Sequence, residues 1–193
     1  MVSAILATAL NADYWKPVQA GTDSQTDSDW VQQFLTSPSI VHPEVYRLKQ
    51  AASPHIAADG ERKRIEISTI YNHLPDTTRP LIIEGAGGLL VPLNEKEFMI
   101  DLIKALHCNV ILVSRNYLGS INHSLLTARV CREAGLTVSG WIFNDRYLDY
   151  EDQVATWSGY PKIASIPRVE EINAAFITRQ AAVLKETFLQ RLC

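Results

Sequence analysis

Apolar residues along this chain follow two rhythms. Residues 2–10 are small and aliphatic with high helix propensity, and they predict a helix. Residues 14–18 read as short and extended, with Pro17 placed where a strand can end at a sheet margin. Residues 27–35 predict a second helix, which Ser24, Thr26 or Asp27 can cap. Residues 37–62 carry Pro43 and Pro54 and no sustained period, so they read as one long irregular stretch. Loops of that length in compact domains are usually functional. From Ile65 onward the pattern turns regular. Helices are expected at 65–74, 98–106, 121–134, 150–157 and 174–191, and strands at 81–83, 110–113, 138–143 and 162–166. Gly135 stands where a left-handed residue would stop the longest of the middle helices.

Strands that are apolar throughout are covered on both faces, as in a parallel sheet. Their alternation with helices predicts right-handed crossovers. The expected fold is therefore α/β: a doubly wound, mainly parallel sheet with helices on both faces, forming a single domain over residues 1–193. Ligands in such sheets bind beyond the C-terminal ends of the strands, so the chemistry is sought there.

Three strand-end segments stand out. Glu84-Gly85-Ala86-Gly87-Gly88 follows the apolar Leu81-Ile82-Ile83. An acid in that place suits a magnesium-binding carboxylate of a nucleotide-using fold, and the glycines let backbone amides approach an anion closely. Lys16 closes the first extended segment and can project as a point charge toward phosphate or carboxylate, with Asp23, Asp27 and Asp29 in the loop and helix beyond. Taken singly, such a lysine is more often a surface charge and such aspartates more often caps. Gly119-Ser120-Ile121-Asn122-His123 opens the long helix, where free backbone N–H groups make an anion site as readily as they make an ordinary cap. Asn144-Asp145 and Pro167-Arg168 are polar sites after two later strands.

Composition changes the picture only by exclusion. A formal net charge of −3 gives no reason to expect nucleic acid or an anionic membrane as a partner. No apolar run is long enough to span a bilayer, and no basic segment precedes the first apolar stretch. Cys108, Cys131 and Cys193 have no paired metal spacing and suit a reducing cytoplasm.

In order, the segments YWKPVQAG (14–21), SPHIA (53–57), EGAGG (84–88) with Val91-Pro92, GSINHSLL (119–126), Ala134-Gly135-Leu136, Gly140-Trp141 and Asn144-Asp145 resemble dethiobiotin synthetase. The resemblance covers nearly the whole chain. It implies a P-loop NTPase fold, a homodimer, and a reaction of 7,8-diaminononanoate with CO2 and ATP in the presence of Mg2+. Carbon dioxide forms a carbamate on one amine, the carbamate attacks the γ-phosphate, and the second amine closes the ureido ring of dethiobiotin. By the same resemblance Lys16 is the active-site lysine, and Asp29 and Glu84 bind magnesium. Gly85, Ala86 and Gly87 line the nucleotide and substrate, and Asn144 is the adenine-reading amide, with Asp145 beside it. Pro167, Arg168 and Val169 close over the base, while Gly119, Ser120 and Asn122 meet the substrate carboxylate across the dimer. Ala20 stands where the family often has a substrate-touching hydroxyl.

The family also carries a strand, a loop of the type G-x-x-x-x-G-K-[ST] and then a helix. No Gly-Lys pair occurs in this sequence, and residues 1–6 read like the helix that follows such a loop. The expectation is a chain that lacks the first strand and phosphate loop, with impaired activity. The competing expectations are a non-catalytic remnant or partner protein of the same fold, and a related P-loop synthetase or ATPase.

Overall fold

The computed structural model describes residues 1–35, 38–145 and 147–192. Ser37, at the start of the expected irregular stretch, and Cys193 lie outside them. The sequence reads as one domain. The described residues gather into two compact units, one of residues 1–107 with 173–178 and one of residues 108–172 with 179–193.

The first unit begins with α1 (Val2–Leu10), which ends on Asn11 in the left-handed region at φ 49°. It continues through β1 (Asp13–Trp15), β2 (Val18–Ala20) and α2 (Asp27–Gln32). The expected strand at 14–18 is thus two strands, because Pro17 has no N–H to continue a ladder. The stretch expected to be irregular instead holds β3 (Val41–His42), β4 (Tyr46–Leu48) and α3 (Pro54–Gly60). Strands of two and three residues show no period, and α3 begins on its own proline, so the sequence pattern hides all three. Next come α4 (Ile67–Asn72), β5 (Leu81–Ile83) and α5 (Met99–Ala105).

The named strands of this unit pair in parallel, with sheets ordered β3-β1-β5 and β2-β4. Trp15, Val18, Leu48, Ile65, Ile70 and Leu93 form the centre of its core. The start of β1 is pinned by a buried carboxylate. Asp13 is 2% exposed and accepts from the Ile40 amide at 2.9 Å and the Thr77 hydroxyl at 2.7 Å, with His42 Nε2 at 3.4 Å. Burial alone would raise its pKa, but these hydrogen bonds together hold it below the ordinary aspartate value.

The second unit alternates β6 (Val110–Arg115), α6 (Ser120–Glu133), β7 (Val138–Asn144), α7 (Glu151–Ser158) and β8 (Lys162–Ile166). The long α8 (Ala174–Leu192) follows, its residues up to Thr178 belonging to the first unit and those from Arg179 to the second. Its sheet is parallel in the order β6-β7-β8. α6 stops as the sequence predicts. Gly135 takes φ 69° while its N–H donates to Arg132 and that of Leu136 to Cys131, which is a Schellman ending. Cys131 is fully buried, and burial raises its thiol pKa to about 11. β6 departs from the expectation of a strand covered on both faces, for Val113 is 51% exposed.

Gly140 sets the approach of β7 to β8. It adopts φ 146°, and a Cβ there would lie 2.4 Å from the Pro161 carbonyl oxygen and 2.9 Å from Ile163 Cγ1. Both the conformation and the contact exclude a side chain. Gly140→Ala is expected to destabilise the chain by about 2–4 kcal/mol. Urea denaturation checks this, and a variant as stable as the parent would show that the strand shifts freely.

Candidate functional site

The parallel pairing of β1 with β5 places Trp15 opposite Ile83, and the Glu84 amide donates to the Trp15 carbonyl at 2.9 Å. Lys16 and Glu84 therefore leave the sheet side by side. The Lys16 ammonium lies 3.1 Å from Glu84 Oε1 and 2.9 Å from Asp27 Oδ2. The other Glu84 oxygen accepts from the Ser3 hydroxyl. Lys16 is 6% exposed. Burial pulls its pKa down, but the two carboxylates outweigh burial and hold it above the ordinary lysine value. It is a fixed cation, not a base.

Asp27, not Asp29, is the aspartate at this lysine. The reason lies in how α2 starts. Thr26 caps the helix, its hydroxyl accepting from the Asp29 amide at 3.1 Å while Asp29 Oδ2 accepts from the Thr26 amide at 3.0 Å. This capping box occupies the Asp29 carboxylate and holds its pKa down. Asp27 opens the helix instead, with its amide on Gln19 Oε1 at 3.2 Å and its carboxylate on Lys16. The signal was present in the sequence: Thr26-x-x-Asp29 is the spacing of a capping box.

Beside this cluster lies a cavity of about 290 Å³, lined among others by Lys16, Gln19, Asp27, Ser53 and Gly87. That is near the lower bound of about 300 Å³ for small-molecule sites. Ala20 and Ala86 also line it. Gln19 and Ser53 are polar contributors that lie within the segments 14–21 and 53–57, with no role expected for them from sequence. Gly87 holds φ 78°, and a Cβ on it would meet Val91 at 2.8 Å. Gly85, on the same loop, is exposed.

The two carboxylates suit a magnesium ion by their chemistry. Among the described residues no group of three or more acidic, histidine or cysteine side chains could enclose a metal. Magnesium is typically held by one or two carboxylates and completes its shell with water and phosphate oxygens.

The remaining sequence-derived residues lie in the second unit. Asn144 ends β7, and its Oδ1 is buried without a hydrogen-bond partner. Asp145 takes φ 56° and pairs with Arg115 at 2.7 Å. Pro167 and Arg168 are exposed beyond β8, with Val169 half-buried. Gly119 adopts φ 102° ahead of α6. Ser120 does not offer the free amide expected there, since its N–H donates to the Tyr117 carbonyl at 3.0 Å. Its buried hydroxyl is 2.7 Å from that of Tyr150. Asn122 is exposed on the first turn.

The model of an AAA domain family matches residues 1–175. The ATP-dependent dethiobiotin synthetase BioD of Cytophaga hutchinsonii is 46% identical, over 98% of this chain and 92% of its own length. The enzyme of the same name from Chlamydia pneumoniae is 41% identical over 97% of this chain and 84% of its own. That from Christiangramia forsetii is 40% identical over 100% and 91%. The crystal structure of a ParA family ATPase from Chlorobium tepidum TLS matches with a TM-score of 0.52 at 15% identity, covering 98% of this chain and 85% of that one. At that identity the likeness concerns the fold, and it bears out the α/β, P-loop NTPase-like layering expected from sequence. Among the described residues no helix is long and apolar enough to cross a membrane.

Lys16 has a raised pKa, so its stabilising contribution is complete below the unfolded lysine value and is lost as pH rises through the higher folded value. Lys16→Met leaves two partly exposed carboxylates facing each other and is expected to cost about 1–2 kcal/mol at pH 7. The difference from the parent should shrink above pH 10.5, the ordinary lysine value. Denaturation curves at both pH values measure it, and a constant difference would show that the charge is irrelevant.

Proposed function

We propose that this chain, which belongs to the ATP-dependent dethiobiotin synthetase family, closes the ureido ring of dethiobiotin from 7,8-diaminononanoate, CO2 and ATP at the Lys16 cluster. The observation that carries this reading is the buried Lys16 ammonium, 2.9 Å from Asp27 and 3.1 Å from Glu84 at the wall of a cavity of about 290 Å³.

The chemistry asks for charge control more than for a reactive side chain. A carbamate forms on one substrate amine, a carbamate oxygen attacks the γ-phosphorus and ADP leaves. The second amine then attacks the carbamoyl carbon of the mixed anhydride and phosphate leaves. Each step before the last gathers negative charge, and positioning with charge neutralisation is what such transfers need. Lys16 keeps its proton, because its pKa is raised, and so serves as the cation that steadies carbamate and phosphoryl oxygens. Asp27 and Glu84 are the carboxylates that would hold Mg2+, which when bound supplies further charge neutralisation at the phosphates. The Gly87 loop brings backbone close to the cavity. Ala20 presents a methyl group there, so one substrate hydrogen bond is given up, a loss of about 0.5–1.5 kcal/mol.

On the same reading, the strand ends that carry Asn144 and Asp145 receive the nucleobase, with Pro167, Arg168 and Val169 beside it. Gly119, Ser120 and Asn122 belong to the surface that meets substrate in a homodimer, and the reaction takes place in the cytoplasm.

Mass-spectrometric detection of dethiobiotin from the three substrates tests the reaction directly. Lys16→Met and Asp27→Asn are each expected to lower kcat/KM by about 10²–10³. Asp29→Asn should cost only the cap, on the order of 1 kcal/mol of stability. Loss of activity by Asp29→Asn to the same extent as by Asp27→Asn would refute the assignment of Asp27. An inactive parent chain would refute the reaction.

A further inference from the structure

The segment 53–57 carries a serine and a histidine that take no part in the Lys16 charge cluster. Ser53 stands at the N-cap of α3, where a serine hydroxyl ordinarily accepts from an amide of the first turn. Here it makes no such bond. Its hydroxyl lies 3.1 Å from His55 Nδ1 instead. Pro54 opens the helix between them, and its fixed φ sets the backbone that carries both side chains.

The pair reaches from one cavity to another. Ser53 lines the cavity of about 290 Å³ beside Lys16, and His55 lines a second of about 100 Å³. Asp59, Lys63, Arg64 and Glu95 line that second cavity too, and they are the charged groups around the ring. His55 is only half-buried, so a proton on its ring can pass to water.

A reaction that starts on an amine needs somewhere to put protons. An alkylamine is an ammonium ion at neutral pH, and only its free base adds to CO2. The charged residues at the first cavity are poor acceptors. Lys16 keeps its own proton, and Asp27 and Glu84 are both bound to it. Of the other residues that line this cavity, only Ser53 is tied to a side chain of the kind that exchanges a proton between about pH 5 and 8.

We propose that Ser53 and His55 form a relay that removes protons from the substrate amine as it takes up CO2. The Ser53 oxygen accepts a proton from the ammonium group while its own hydroxyl proton passes to His55 Nδ1. The freed nitrogen then gives its electron pair to the CO2 carbon. A C–N bond forms, and one C=O pair moves onto oxygen. The second proton leaves the new N–H group by the same route, once His55 has released the first to water. Ammonium and CO2 thus become carbamate, and two protons reach solvent. A base weaker than the amine suffices, because CO2 consumes the free amine as it forms. The ring must be neutral, with its proton on Nε2, for Nδ1 to accept. The relay rests on the reading of the chain as an enzyme that joins CO2 to a diamine.

Rapid-quench methylation traps the carbamate formed from 7,8-diaminononanoate and isotopically labelled CO2 without ATP, and dethiobiotin is measured in the complete reaction. At a constant concentration of dissolved CO2, the parent rate of carbamate formation is expected to rise with pH through the histidine range and then level off. His55→Ala should be about 100-fold slower near neutral pH, and its rate should keep climbing, since the amine must then lose its proton unaided. Free imidazole should restore about tenfold of that loss in His55→Ala and none in Ser53→Ala. The double variant should lose no more than either single one, because members of one relay act as a unit. A structural role for the pair would lower the rate equally at every pH and allow no rescue, which overturns the proposal. So does a parent rate that climbs on beyond the histidine range, a comparison that needs no variant to fold, and so does a parent that forms no carbamate. If carbamate forms through the relay while no dethiobiotin appears with ATP, the relay stands and the proposed reaction fails.

Discussion

Keeping an ammonium group out of water is the constraint that organises the first unit. Lys16 is 6% exposed, and an isolated buried cation would either lose its proton or unfold its surroundings. It does neither because two carboxylates from separate segments converge on it. Each is brought there by a different local device. The parallel register of β1 and β5 delivers Glu84 alongside Lys16, and the capping box of α2 turns Asp27 toward it. Asp13, at the other end of β1, ties that strand to the segments of Ile40 and Thr77. A three-residue strand could not hold a lysine in place without such anchoring.

The second unit solves a related problem around one carboxylate. Glu151 gathers Asn116, Ser165 and Lys162, and in doing so fixes the orientation of an amide that would otherwise be free to turn. Ser120 is tied to Tyr150 in the same unit, the two hydroxyls lying 2.7 Å apart. In both units a carboxylate near a strand end determines what the neighbouring group can do: a cation that stays charged in one, an amide that keeps its orientation in the other. Reactions of carbamates and phosphates depend on such preset charge and direction, because little of their bond-making needs a protein nucleophile.

Much of this was legible along the chain. The strands at 81–83 and 162–166 stand where the apolar runs place them, and Gly135 ends α6 as its conformational freedom predicts. Lys16 and Glu84 were legible as chemistry because a charged residue that closes an apolar strand must emerge at the sheet edge. The family was legible because its strand-end segments recur here in order over nearly the whole length.

The sequence by itself determined the α/β alternation, the helix stops and the identity of the residues at the strand ends, all of which follow from local periodicity and backbone preference. Only the tertiary structure decided which of them meet. Asp27 and Asp29 are two residues apart on one helical turn, so they point in different directions, and a pattern of charges cannot say which one faces the lysine. β3, β4 and α3 are too short to impose a period, and exist because neighbouring strands and an adjacent core hold them. Asn116 is ordinary as a letter. It takes a fixed orientation only because Glu151, 35 residues further on, folds back to hold one side of its amide.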